Sequence, residues 1–250
     1  MAVTPELLGA FPLLKPLNKT ELTRLAEQST VKKFARRGIV LRAGKREGLI
    51  CFLFEGRLQG VDFTIDGKEV GLYFAEPGDY CGELGLFDDG PQPEFVIALT
   101  SAVVVFVPTA AIRHVMLATP SIINALGAKL AARVRQMTFQ RSLLSLPNIA
   151  QRVCCQLWLL MPERRKWFDD KQQGEMQKSK TADAENITAI TNLPTHMEMA
   201  IMLNLSRETV TRVFQTLQNR QIVKRDGPSK LLVIDPKTLQ SLAEGIKDLK

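Results

Sequence analysis

Within one short stretch of the chain, Arg207, Glu208 and Arg212 carry the chemistry that reads nucleic-acid bases. A guanidinium donates bidentately to guanine O6 and N7, and a carboxylate accepts from cytosine N4. The three lie in SRETVTRVFQTL, Ser206 to Leu217, where Val210, Val213, Phe214 and Leu217 fall at i, i+3, i+4 and i+7. That spacing predicts a helix with one apolar stripe, leaving Arg207, Glu208, Thr211, Arg212 and Gln215 on the opposite face. Ser206 is suited to cap it. Upstream, Met197, Ala200 and Ile201 form a second short apolar pattern, and Asn204 between the two tolerates a left-handed backbone. The expectation is a helix-turn-helix whose second helix enters a DNA major groove. A merely solvated helix face, with Glu208 favoured by the helix dipole, would use the same residue types. Downstream, QIVKRDGPSKLLVI has two strand-like runs around Asp226-Gly227-Pro228-Ser229, which reads as a wing. Lys224, Arg225 and Lys230 there can reach phosphates, as can Thr195 and His196 at the start of the first helix, with Ser206 and Thr211 beside the base-reading set.

The pattern S-R-E-T-V-x-R, preceded by a turn and followed by a hairpin, resembles the recognition helix of the family shared by the cyclic-AMP receptor protein and the fumarate and nitrate reduction regulator (CRP/FNR). The resemblance implies a homodimeric, sequence-specific transcription regulator, with a palindromic double-stranded operator of TGTGA-like half-sites and RNA polymerase as partners. A second stretch, PGDYCGELGLFDDG from Pro77 to Gly90, resembles the phosphate-binding cassette of cyclic-nucleotide-binding domains. In that cassette a short helix turns free N–H groups to an anion, a glutamate accepts from the ribose hydroxyl, and an arginine pairs with the phosphate. The resemblance places Gly82, Glu83 and Leu84 in an effector pocket and puts the arginine position on Pro93 and a small hydroxyl position on Glu94. Two hydroxyl residues that the family carries on its long helix fall on Met137 and Thr138. With a carboxylate where the phosphodiester should sit and no guanidinium beside it, cAMP is not expected to bind in the usual way. The readings left for this half are a turn that defines the fold without any ligand, or another cyclic nucleotide or a cyclic dinucleotide such as c-di-GMP, held by Arg36, Arg37, Arg42 or Arg46. Some family members hold an iron–sulfur cluster on a cysteine group near the N-terminus, and since the first cysteine here is Cys51 that cluster is not expected; haem is not expected either.

These residues require a scaffold of α+β class. From Val31 to Pro108, short β-branched and aromatic runs are punctuated by glycine, with a hairpin signal at Asp66-Gly67 and a turn at Pro77-Gly78-Asp79. One antiparallel β-roll, a cyclic-nucleotide-binding-like jelly roll, is expected. Residues 5–28, leucine-rich and broken by Pro5, Pro12 and Pro16, are expected to cover it as short helices. Residues 120–146 read as one long helix whose stripe Ile123, Leu126, Leu130, Val134 and Met137 suits a two-stranded coiled coil, flanked by Lys129, Arg133, Arg135 and Arg141. The alternative is a helix packed on its own roll. An amphipathic helix follows from Pro147 to Met161 with Ile149, Val153, Leu157 and Leu160 inward, then a polar excursion over 162–186, and residues 235–250 read as a terminal helix beneath the wing. The expected domains are a sensor roll over 1–119, a dimerisation helix over 120–146 and a winged helix-turn-helix over 147–250.

Charge is distributed to match. The formal net charge is +7, yet residues 1–119 hold 13 Lys+Arg against 14 Asp+Glu, and residues 120–250 hold 20 against 12. The basic excess lies in the half that would meet phosphates. With no charged leader, no apolar run of membrane-spanning length and no C-x-x-C pair, a cytoplasmic protein with reduced, buried thiols and no membrane partner is expected. The two histidines, His114 and His196, are too few and too far apart for a cupin-type metal site, and no nucleophile elbow or P-loop is present, so no catalytic residue and no metal ligand is assigned. The competing class is a ligand-binding module with non-specific affinity for DNA.

Overall fold

The computed structural model describes residues 2–162 and 187–249, and the polar excursion with its Trp167-Phe168 pair lies outside the described residues except for Pro162. The chain forms two compact units, Met1–Met137 and Thr138–Lys250. The boundary falls inside the long helix, where the sequence reading placed boundaries at both of its ends.

The first unit is the expected antiparallel roll, of two four-stranded sheets. One runs in the order β1 (Thr30–Phe34), β8 (Ala102–Pro108), β3 (Leu49–Glu55), β6 (Tyr80–Cys81), and the other β2 (Ile39–Leu41), β7 (Phe95–Ala98), β4 (Leu58–Phe63), β5 (Glu69–Ala75). Strand β3 shows why the N-terminal segment is there. Cys51 and Leu53 enter the core between the sheets, whereas Ile50 and Phe52 face outward and would meet water without cover. Leu8, Phe11, Leu14 and Leu25 from α1 (Pro5–Gly9), α2 (Lys19–Gln28) and the turns between them bury that outer face, with Ile112 of α3 (Thr109–Ala118). An Asn18–Glu21 capping box fixes the start of α2. The expected turns form at Gly67, with φ 78°, and Gly78, with φ 93°. Gly60 of β4 is required by packing, because a Cβ there would lie 2.4 Å from the Tyr73 ring.

Helix α4 (Pro120–Leu144) follows a 3.6-residue period. Ile122 and Leu126 are fully buried in the core of their own roll, so Leu126 does not belong to the expected dimer stripe. The outward stripe is Ile123, Gly127, Leu130, Val134 and Met137, spaced 4, 3, 4 and 3, and Gly127 has open space at its Cβ position. The two stripes lie about 90° apart around the helix.

The second unit is a winged helix. Asn148 caps α5 (Ile149–Leu160) by accepting from the Gln151 N–H. Its inward set is Val153, Cys154, Leu157 and Trp158; Ile149, expected inside, is 42% exposed because the helix begins there and the buried face starts one turn later. Helices α6 (His196–Leu203) and α7 (Arg207–Asn219) form the helix-turn-helix, joined through Asn204 at φ 51°. Thr195 and Glu198 make a capping box on α6, and Ser206 caps α7 by accepting from the Thr209 N–H at 3.2 Å. The wing strands β10 (Val223–Arg225) and β11 (Leu231–Val233) are joined by an unexpected third strand, β9 (Thr188–Ile190), in the order β10-β11-β9. The terminal helix α8 is shorter than expected, Pro236–Ala243, and packs on α5, where the Gln151 amide and the Cys155 thiol both donate to the Ala243 carbonyl. All four cysteines are buried.

Candidate functional site

The recognition face is built by burying everything else on α7. Val210, Val213, Phe214 and Leu217 are at most 9% exposed, which fixes the rotation of the helix and turns Arg207, Glu208, Arg212 and Gln215 to solvent. With Thr211 they line one shallow concavity of about 310 Å³. Among the described residues no hydrogen bond or ion pair engages the Arg207 or Arg212 guanidinium. Backbone and Ser206 hydrogen bonds at the helix start hold the Glu208 carboxyl below its usual pKa, so it is an acceptor at neutral pH.

The expected phosphate contacts divide into two groups. Lys224 is exposed on the wing, and the Thr195 hydroxyl accepts a helix-capping bond while keeping a proton to donate; the Ser206 hydroxyl caps α7 and also contacts Thr209 Oγ1 at 2.9 Å. Arg225 is folded back on its own turn, donating to Gly227 O at 3.2 Å and to Pro228 O, and Lys230 pairs with Asp226 at 2.7 Å. His196 departs from expectation: its Nδ1 is 2.8 Å from Thr211 Oγ1, its Nε2 is buried without a partner among the described residues, and its ring lies tilted against Phe214 with centroids 4.6 Å apart. Neither ring nitrogen faces outward, so only the backbone N–H at the start of α6 remains for an anion. The Thr211 hydroxyl is likewise engaged, donating to the Arg207 carbonyl at 2.9 Å.

In the roll, the cassette turns at Gly82, with φ 87°, where a Cβ would meet the Leu49 carbonyl at 2.6 Å. A short 3₁₀ turn, Glu83–Leu86, follows. Glu83 is fully buried, and its Oε1 lies 2.6 Å from Arg133 Nη1 of α4. The contact is an ion pair outside hydrogen-bond alignment, and among the described residues neither Glu83 oxygen has a hydrogen-bond partner. The same guanidinium sits 4.1 Å over the Tyr73 ring. Burial pulls the Arg133 pKa down, but facing Tyr73, Glu83, Cys81 and Glu94 outweigh it and hold the pKa above the usual value. One turn earlier, Lys129 bonds Asp79 at 3.2 Å and the Tyr80 carbonyl at 2.8 Å. Glu94 is buried and accepts from the Tyr73 hydroxyl at 2.6 Å and the Gln92 amide at 2.9 Å. Burial raises its pKa, and the Tyr73 bond and Arg133 charge oppose the shift.

Three expectations about this pocket change. Pro93 is exposed: it lies in the irregular segment that leads into β7, between Gln92 and Glu94, which are both buried. Met137 is 57% exposed and Thr138 is exposed, and the helix residues that close the cradle are Lys129 and Arg133. Those two are also corrected from coiled-coil flanks to cradle residues, since they share the face of Ile122 and Leu126. The cradle has a cation, then, supplied from the helix and already paired. Among the proposed alternative cations, Arg37 is bonded to Glu69 through both its Nη atoms, and Arg46 lines a cleft of about 170 Å³ with Lys45, Glu47 and the cassette residues Gly82, Gly85, Asp89 and Gly90. Among the described residues no helix is long and apolar enough by itself to cross a membrane.

Residues 31–119 match the family model for the cyclic nucleotide-binding domain, and residues 151–242 match that for the Crp-like helix-turn-helix domain. The chain is 24% identical over 200 residues to the cAMP-activated global transcriptional regulator CRP of Pasteurella multocida, covering 79% of this chain and 87% of the relative. It has the fold of a CooA variant from Carboxydothermus hydrogenoformans, with TM-score 0.68, 16% identity and coverage of 94% and 97% of the two chains. It also has the fold of the c-di-GMP responsive regulator CLP from Xanthomonas campestris, with TM-score 0.58, 18% identity and coverage of 87% and 99%. With a matched cyclic-nucleotide-binding roll in one unit and a matched Crp-type reading head in the other, the chain belongs to the CRP/FNR family of DNA-binding transcription regulators.

Proposed function

We propose that the protein acts as a homodimer on a palindromic operator, reading bases with Arg207, Glu208 and Arg212 and positioning itself with Lys224, Thr195, Ser206 and the N-terminus of α6. The carrying observation is the recognition face itself: the apolar side of α7 is wholly consumed by the core, and its other side presents two unpaired guanidiniums around a carboxylate among the described residues. The outward stripe Ile123, Leu130, Val134 and Met137 supports two-fold pairing of α4, and operator symmetry follows from it. The roll (1–119) would serve as sensor, the helix (120–146) as dimer element and the winged helix (147–250) as reader, in the cytoplasm with RNA polymerase as partner. Selection from random DNA, followed by titration over a salt series, tests this reading. A preferred palindrome that keeps its affinity ratio over random DNA is expected. A charge-only binder would give no preferred sequence.

The roll does not take cAMP in the usual way. Glu94 occupies the inward position with its carboxylate, and Arg133 is committed to Glu83. A cyclic dinucleotide is the second reading, favoured by the open cleft beside the cassette that carries Lys45 and Arg46. Calorimetric titration with cyclic mono- and dinucleotides separates the two.

A further inference from the structure

The His196–Thr211 contact joins the two helices of the reading head at the edge of the base-reading face, and it restricts what Thr211 can offer to DNA. A threonine hydroxyl donates one proton, and the Thr211 proton goes to the Arg207 carbonyl at 2.9 Å. The 2.8 Å contact with His196 is then satisfied only if Nδ1 carries the proton and donates to Oγ1. With the other tautomer, Thr211 would have to abandon Arg207, and Nε2–H would be a buried donor without an acceptor. The protonated ring is disfavoured by burial first and then by the charges of Arg225 and Arg207, which lower its pKa. One neutral tautomer therefore makes both bonds and fixes the threonine rotamer.

We propose that His196 is a positioning residue that holds the Thr211 hydroxyl away from DNA, so that Thr211 presents its Cγ2 methyl to the C5-methyl of one thymine in each half-site. Thr211 lines the concavity between Arg207, Glu208, Arg212 and Gln215, so its exposed part lies among the base-reading groups. Methyl-to-methyl contact is the apolar means by which a major-groove reader distinguishes thymine. The assignment rests on the base-reading role of α7 and adds a residue and a base to it.

The test replaces each thymine of the selected operator, one position at a time in both half-sites, with deoxyuridine, which lacks only the methyl. Wild type should lose about threefold to fivefold per half-site at one position, the worth of one buried methyl. Thr211→Ser keeps both hydroxyl bonds and should bind the thymine and deoxyuridine operators equally. His196→Ala should shrink the wild-type ratio, whereas His196→Asn, whose amide N–H can stand in for Nδ1–H, should restore it. A preferred operator at which wild type and Thr211→Ser respond alike to every deoxyuridine overturns this inference alone. If no preferred sequence emerges, the base-reading assignment falls, and this one with it.

Discussion

Replacing Arg133 with methionine removes a charge while keeping most of the side-chain volume, and it leaves the fully buried Glu83 carboxylate without its ion-pair partner. Breaking a buried pair from one side costs about 3–5 kcal/mol, because the remaining charge has neither water nor a counter-ion. The unit concerned spans Met1–Met137. At about 2.1 cal/mol/K per residue its unfolding entropy near the midpoint is about 0.29 kcal/mol/K, so the loss corresponds to a drop of about 10–17 °C in Tm. The companion Glu83→Gln removes the other charge, and the double variant removes both and should recover most of the loss. Scanning calorimetry of the three variants at neutral pH measures the effect. A single Arg133→Met variant melting within about 2 °C of wild type at pH 7 would refute the claim that Glu83 is held by that arginine.

Arg212→Ala should cost about 1–3 kcal/mol per half-site and relax preference at one base pair, whereas Lys224→Ala should weaken all sequences alike; binding-site selection on both variants checks the distinction. Leu130→Glu should give monomers by sedimentation with lost operator binding, because it places a charge in the proposed seam, and a variant still dimeric at micromolar concentration would exclude that seam. Leu126→Ala, by contrast, should lower the stability of the roll by about 2–5 kcal/mol without changing association, since its side chain is buried at home. For cAMP, Glu94→Ser should raise affinity by about tenfold by removing one buried carboxylate, and Pro93→Arg alone should change it less than about twofold, because position 93 faces out. A calorimetric gain from Pro93→Arg would contradict the outward placement of position 93.

The reading head was legible because its signals are local. The Val210–Leu217 stripe, the Ser206 cap and the left-handed Asn204 each act within a turn or two of chain, and each forms as expected. The roll was legible as a rhythm of strands and glycines. The errors arose where two solutions satisfy the same local pattern. On α4 both Leu126 and Gly127 fit a near-heptad, and the apolar side chain is the natural choice until the roll claims it. Lys129 and Arg133 look like coiled-coil flanks because four-residue spacing is the same whether a partner helix or a buried glutamate lies opposite. Counting from the cassette selects Pro93, yet residues 91–94 precede β7 without strand periodicity, and only the folded segment decides that Gln92 and Glu94 turn in and Pro93 out. Strand β9, three residues long, offers too little periodicity to be seen without β11 beside it.

The four buried thiols divide evenly, Cys51 and Cys81 facing each other across β3 and β6 in the roll, Cys154 and Cys155 adjacent on α5 in the winged helix. Burial suppresses thiolate formation in both places, pushing Cys81 up to about 11 and Cys154 up to about 12. A thiol reagent at neutral pH therefore meets a silent protein and reacts only when a unit opens. Labelling followed by peptide mapping makes each pair a clock for its own half of the molecule. The sensor and the reader can thus be timed separately, with and without DNA, on the unaltered chain.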